Sequence, residues 1–324
     1  MILITGGAGF IGSNLNAALA EAGHEVAIVD WLGEAGKWRN LAAYPPAQIL
    51  MPDALEHFLA SDPPLKMVFH LGAISATTAT DGDLVWMTNV ELPMMLWNWC
   101  AAHQVRLVYA SSAATYGDGS AGFDDDIDAL ATLKPRNLYG WSKHAFDLRV
   151  AKIIRTGGAR PPQWAGLKFF NVYGPNEYHK GSMISVVKIK WDDIQSGRAP
   201  KLFRSIEPGL ADGQQIRDFI WVGDVVDVML WLLASPGVNG LFNLGTGNGR
   251  SYQHLAEAVC RAAQVPERVE FIDMPSSLRA GYQSFTQANM DRLRAAGYDG
   301  QFTILEEGIR RYVVDYLESS DPYR

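Results

Sequence analysis

Apolar runs of strand length recur through the first half of the chain, with segments of helical length between them. Residues 1–5, 25–30, 48–51, 66–70, 106–110 and 164–170 form the runs and predict six strands. Residues 12–22, 53–60 and 83–103, and a segment from 139 to about 155, predict helices. Continuous apolar runs suit strands covered on both faces. Alternation of such strands with helices predicts an α/β fold, a doubly wound parallel sheet. The regularity ends after the sixth run. Residues 172–215 read as irregular and mixed, Leu241-Phe242-Asn243-Leu244 as a return to the sheet, and residues 250–300 as short helices and loops.

The first strand leads straight into Gly6-Gly7-Ala8-Gly9-Phe10-Ile11-Gly12. Strand, glycine turn and helix start together form a dinucleotide-binding fingerprint of the Rossmann type. Gly6 permits the tight turn, Gly9 admits a pyrophosphate close to the backbone, and Gly12 lets the helix pack near the sheet. The second strand ends in Asp30, 18 residues beyond Gly12, close to the spacing at which an acid takes the adenosine ribose hydroxyls. Asp30 alone points to NAD. Lys37 and Arg39 follow and are placed to hold a 2′-phosphate instead. Residues 1–171 with about 216–248 are thus expected to form the dinucleotide-binding domain. About 172–215 with 249–324 are expected to form a smaller, discontinuous C-terminal lobe that roofs a substrate site.

Tyr139 and Lys143 open the helix after the fifth strand at i and i+4, so phenol and ammonium share a face. A nearby ammonium favours the phenolate, and a tyrosine so tuned can take or return an alcohol proton during hydride transfer. The fifth strand runs on into Ser111 and Ser112, whose hydroxyls at its carboxyl edge can meet a substrate oxygen or cap the following turn.

These residues resemble the extended short-chain dehydrogenase/reductase superfamily. The resemblance rests on Thr5 to Gly12, His70-Leu71-Gly72-Ala73, Ser112, Tyr139 with Lys143, and Arg217-Asp218-Phe219-Ile220-Trp221-Val222-Gly223-Asp224-Val225, and covers nearly the whole chain. Within it, Ser111 to Gly117, Phe170 to Pro175, His179-Lys180-Gly181-Ser182-Met183 and Tyr282 to Ala288 are similar to the ADP-glycero-manno-heptose 6-epimerase family.

That resemblance implies inversion of a heptose C6 by transient oxidation to a ketone and re-reduction, with tightly bound NADP, or NAD. The product would supply lipopolysaccharide core heptose. It implies Lys180 as a second acid/base beside Tyr139, with Ser112 and Lys143 completing the catalytic set. Cofactor contacts are implied at Gly6, Gly9, Phe10, Ile11, Gly12, Asp30, Trp31, Lys37, Leu71, Gly72, Ala73, Ser75, Asn89 and Lys143. Substrate contacts are implied at Ser112, Asn171, Ser182, Phe203, Arg217 and Tyr282. Some positions depart from the family pattern: Trp31 replaces an Asn, Pro52 a Lys and Ile189 a His, and residues 206–213 lengthen the loop before Arg217.

Composition narrows the field. Net charge −7 and a pI near 5.5 offer no global field for nucleic acid. Two cysteines make no disulfide framework, and no metal-ligand spacing is present. No apolar run reaches membrane-spanning length, and a strand beginning at residue 2 leaves no room for a leader. A cytoplasmic enzyme, a homo-oligomer acting on a nucleotide sugar without membrane or nucleic-acid partners, is expected. The alternatives are a UDP-sugar 4-epimerase, a 4,6-dehydratase, which would want an acid where Ala113 follows Ser112, and a non-catalytic cofactor sensor or RNA binder, which would lack the Tyr139–Lys143 pair.

Overall fold

The computed structural model describes residues 1–279 and 282–324. Seven parallel strands form the main sheet. They are β1 (Ile2–Thr5), β2 (Val26–Val29), β3 (Gln48–Leu50), β4 (Met67–His70), β5 (Arg106–Ser112), β6 (Trp164–Phe169) and β7 (Gly240–Leu244). Their order is β7-β6-β5-β4-β1-β2-β3. β1, β2 and β4 are buried along their whole length, which is why they read as unbroken apolar runs. β3 lies at the sheet edge and leaves Ile49 exposed.

Strand order reverses between β1 and β4, and their carboxyl ends open a crevice at that switch point. The glycine turn leaves β1 there, and Leu71-Gly72-Ala73 leaves β4. Helices α1 (Phe10–Glu21), α2 (Leu55–Ala60), α3 (Gly82–Trp86), α4 (Leu92–Ala102), α5 (Leu138–Arg155), α6 (Val186–Gln195), α7 (Val222–Ala234) and α8 (Tyr252–Ala262) follow in chain order.

The helix predicted over 83–103 is broken. α3 and α4 are joined by a π-helical turn, Met87–Glu91. Pro93 lacks the N–H that would bond the Asn89 carbonyl, so the ladder shifts there. Residues 172–215 are also more regular than the sequence suggests. Asn171–Tyr173 pairs in parallel with Phe219–Trp221, and Lys201–Phe203 with Glu270–Ile272. α6 is capped by Ser185, whose hydroxyl accepts from the Lys188 N–H at 3.3 Å.

Two apolar clusters result. The larger one fills both sides of the sheet. The second gathers Tyr173, Trp191, Trp221, Leu255 and Tyr312 around Phe10, the first residue of α1. The roof over the crevice is therefore packed onto the glycine loop. Polar contacts strengthen this: Asn14 donates to the Pro175 carbonyl at 3.0 Å, Asn176 to Ser13 Oγ at 3.0 Å, and Asn40 to the Ala8 and Asn176 carbonyls.

Candidate active site

Gly6 has φ 70°, a left-handed backbone, and a Cβ there would lie 2.6 Å from the Gly72 nitrogen. The turn is therefore closed to other residues at that point. Gly9 precedes α1 with no side chain capping the helix, so the first N–H groups stay available to an anion. A Cβ built on Gly9 would meet only the Gly6 carbonyl, at 3.1 Å; glycine leaves that space to a diphosphate. The cradle fits a dinucleotide cofactor.

At the end of β2, Asp30 Oδ2 accepts from the Ala8 N–H at 2.9 Å and Oδ1 from Lys37 Nζ at 2.6 Å. Lys37 also donates to the Trp31 carbonyl at 2.8 Å. The ammonium is thus held at the carboxyl end of β2, against Asp30. The Trp31 side chain itself is half exposed.

β5 and α5 supply the proton-handling groups. Asn137 caps α5 by accepting from the Gly140 N–H at 2.8 Å, which starts the helix one residue before Tyr139. Ser112 Oγ accepts from the Ala114 N–H at 3.1 Å and lies close enough to the Tyr139 phenol to oppose part of the rise in its pKa. Ser112 therefore both caps a turn and faces the phenol. Lys143 Nζ donates to the Ala110 carbonyl at 3.0 Å.

The expected tuning of the phenol by Lys143 takes a different form. Burial raises the Tyr139 pKa, and Ser112 only partly opposes it. Burial lowers Lys143 to about 8. In this closed environment desolvation outweighs the i, i+4 proximity.

Lys180 stands on a 3₁₀ segment, Tyr178–Met183, in which Gly181 turns the chain at φ 54°. Its Nζ lies 4.9 Å from the centre of the Phe10 ring and 3.6 Å from Glu177 Oε2. Burial depresses the Lys180 pKa, and Glu177 opposes that shift. A partly buried lysine with a depressed pKa can act as a base.

Tyr139, Lys143, Ser112 and Lys180 line one cavity of about 530 Å³. The cradle residues Gly6, Gly9, Phe10, Ile11 and Gly12 form its floor with Leu71, Gly72, Ala73 and Ser75. Asp30 and Lys37 line it beside the end of β2, and Asn171 and Ser182 line it from the segment that follows β6. Five expected contacts do not line it. Trp31 turns to the surface. Asn89 spends its amide on the Ile74 backbone, at 2.9 Å in both directions, and on Ser142. Phe203 ends the short strand Lys201–Phe203. Arg217 is sandwiched between Tyr252 and Tyr282, 5.5 and 5.3 Å from their ring centres, and donates to the Ile216 and Gln283 carbonyls. It does not pair with Asp218, whose carboxylate instead accepts from the backbone of Thr246, Gly247 and Ala288.

The sequence reading missed His179, Met183 and Ser185 in the cavity wall and Glu177 behind it. His179 belongs to the quoted motif, and burial lowers it to about 4. Among the described residues no group of metal-ligating side chains could hold an ion, and no helix is long and apolar enough to cross a membrane.

His70, at the end of β4, is also buried, with Nδ1 2.7 Å from Thr5 Oγ1. Burial, and then the Lys143 charge, lower it to about 3 from an ordinary 6.5. Between those values the unfolded chain binds a proton that the folded chain refuses. Stability is therefore full above pH 6.5 and falls as pH drops toward 3, by up to about 1.4 kcal/mol per pH unit. Asp125, pushed up to about 6 by burial, works in the opposite sense between its ordinary value and 6. Urea unfolding at pH 7 and 5 should show a smaller acid loss in His70→Asn than in the parent; equal losses would remove His70 from the account.

Comparison with known proteins places this geometry. A profile of the NAD dependent epimerase/dehydratase family matches residues 2–245. The ADP-L-glycero-D-manno-heptose-6-epimerase of Nitratidesulfovibrio vulgaris strain DP4 is 47% identical over 327 residues, spanning 100% of both chains. The crystal structure of the Helicobacter pylori ADP-L-glycero-D-manno-heptose-6-epimerase superposes with a TM-score of 0.79 at 26% identity, over 96% of this chain and 94% of that one. A Thermus thermophilus UDP-glucose 4-epimerase in complex with NAD superposes with a TM-score of 0.71 at 27% identity, over 95% and 96%. With the glycine cradle, the Ser112–Tyr139–Lys143 group and a profile match running from β1 through β7, the chain belongs to the NAD dependent epimerase/dehydratase family.

Proposed function

We propose that this enzyme inverts C6 of an ADP-glycero-manno-heptose, converting the D-glycero into the L-glycero form for lipopolysaccharide core. The observation that carries the reading is that Tyr139 and Lys180 line one cavity with the glycine cradle. The full-length likeness to a heptose epimerase supports the choice of sugar. A bound nicotinamide supplies a hydride acceptor and donor that is regenerated at each turnover.

Inversion demands that hydride leave one face of C6 and return to the other. The ketone form of the sugar must therefore rotate, and its oxygen must meet a different proton-transfer group in each orientation. Tyr139, beside Ser112, serves one orientation, and Lys180 the other. Lys143, one helical turn beyond Tyr139, would hold the nicotinamide ribose. Phe10, whose ring lies under the Lys180 ammonium, helps to keep water from it.

A panel of ADP-, UDP- and GDP-sugars followed by NMR tests the assignment. The reading predicts conversion of the ADP-heptose alone; 4-epimerisation of a UDP-sugar instead would replace it with the UDP-sugar alternative.

NADP is the proposed form of the cofactor. Lys37 brings an ammonium to the carboxyl end of β2 and neutralises Asp30, which by itself would repel a 2′-phosphate. The purified protein is expected to retain its nicotinamide and to turn over without added cofactor. Titration of the cofactor-free protein should show tighter binding of NADP; tenfold tighter NAD binding would reverse the preference.

A further inference from the structure

Glu177 is completely buried three residues before Lys180. Its Oε2 accepts from the Ser185 N–H at 2.7 Å and lies 3.6 Å from Lys180 Nζ. Its Oε1 accepts from the Ser185 hydroxyl at 2.5 Å and from the Tyr312 phenol at 3.0 Å. A buried carboxylate is costly unless hydrogen-bonded and paired. Here three neutral donors satisfy it, and Lys180 is its ion-pair partner among the described residues.

The partners of Glu177 come from separate elements. Ser185 is the N-cap of α6, and Tyr312 lies in the helical segment Arg311–Leu317 near the end of the chain. Lys180 itself sits on an irregular turn broken by Gly181, which cannot aim a long side chain unaided. We infer that Glu177 is a positioning residue for the second proton-transfer group: it anchors the Lys180 ammonium in the cavity and ties that anchor to α6 and the C-terminal helical segment. The inference rests on the reading of Lys180 as a base.

Other charges are disposed around this pair. His179 adjoins Lys180, and Tyr139, Lys143, Lys37 and Asp30 line the same cavity. The Tyr312 phenol bonds the carboxylate, whereas the Tyr178 phenol donates to the Pro322 carbonyl at 2.8 Å. Of these groups, Glu177 is the one that opposes the effect of burial on Lys180.

Glu177→Gln keeps an oxygen acceptor for Ser185 but removes the charge. Acetylation of each lysine by a trace of acetic anhydride across pH, read by mass spectrometry, gives the Lys180 titration without any substrate. An opposite charge at this range shifts a pKa by about 1–3 units. The Lys180 midpoint should therefore fall by at least about one unit in Glu177→Gln, while Lys66 stays put. Tyr312→Phe removes a single donor from the carboxylate and leaves its charge freer for Lys180, so it should raise the midpoint. It decides the question if Glu177→Gln does not fold. In turnover, Lys180→Met/Glu177→Gln should be no slower than Lys180→Met alone. An unmoved Lys180 midpoint in the folded variants, or additive losses in the double variant, overturns the inference. If the parent protein fails to epimerise an ADP-heptose, the functional reading falls instead, and the lysine titration still reports on Glu177.

Discussion

Tyr139→Phe and Lys180→Met should each lose about 10²–10⁴-fold in epimerisation, the range typical of a general acid–base group. Both variants should remain folded and retain nicotinamide: Tyr139→Phe removes only a hydroxyl, and in Lys180→Met the Glu177 carboxylate keeps its three hydrogen-bond donors. Lys143→Met differs: Lys143 is buried at the cradle side, so its loss should weaken nicotinamide retention as well as turnover. The two bases can be separated further with an aldehyde analogue of the sugar that disproportionates. That reaction needs proton transfer in only one orientation, so one of the two single variants should keep it while losing epimerisation. Steady-state rates by NMR and cofactor content by absorbance check the set. If Lys180→Met epimerises at near the parent rate, Lys180 is no base, and Tyr139 or water must serve both faces.

The second large effect is on stability. Lys168 on β6 and Asp147 on α5 form an ion pair at 2.8 Å with both side chains wholly buried. Lys168 also donates to Thr115 Oγ1 at 2.7 Å, and Asp147 accepts from Ser111 at 2.6 Å. This network lies directly behind the site: Ser111 precedes Ser112, and Asp147 follows Lys143 by one helical turn. Removing one partner leaves a buried charge unmatched, which costs about 3–5 kcal/mol. Lys168→Met should lose that much in urea unfolding. Lys168→Met/Asp147→Leu should recover part of it, because no unpaired charge remains. A loss under about 1 kcal/mol for the single variant would show that water or a neighbour takes over the role of the ammonium.

Much of this was legible before folding. A strand buried on both faces is mostly apolar, so β1, β2, β4, β5 and β6 announce themselves, β6 in spite of its buried Lys168. The glycine turn is legible for the same kind of reason: at Gly6 the backbone is left-handed and packed against Gly72, and only glycine satisfies both. The roof is harder to read. Asn171–Tyr173 is three residues long and gains its meaning only from Phe219–Trp221, far along the chain. α6 did leave a signal, the Ser185 cap with Val187 and Trp191 one turn apart, but it is brief.

At the site, the groups that carry motif spacing converge, whereas single residues are decided by tertiary context. Arg217, expected to contact substrate, is instead clasped by Tyr252 and Tyr282. Glu177 carries no motif signal and is the buried partner of Lys180. Neither outcome is written in local pattern, because both depend on which aromatic and hydroxyl groups the fold delivers from other elements.

In the proposed reaction one carbon loses and regains a hydride between two proton-transfer groups in one cavity. The most direct test is to run the purified protein, without added cofactor, on ADP-D-glycero-manno-heptose in D₂O and to read C6 by NMR. The account predicts the L-glycero product with protium at C6, because the hydrogen that leaves is the one that returns. No conversion, or deuterium at C6 of the product, would contradict it.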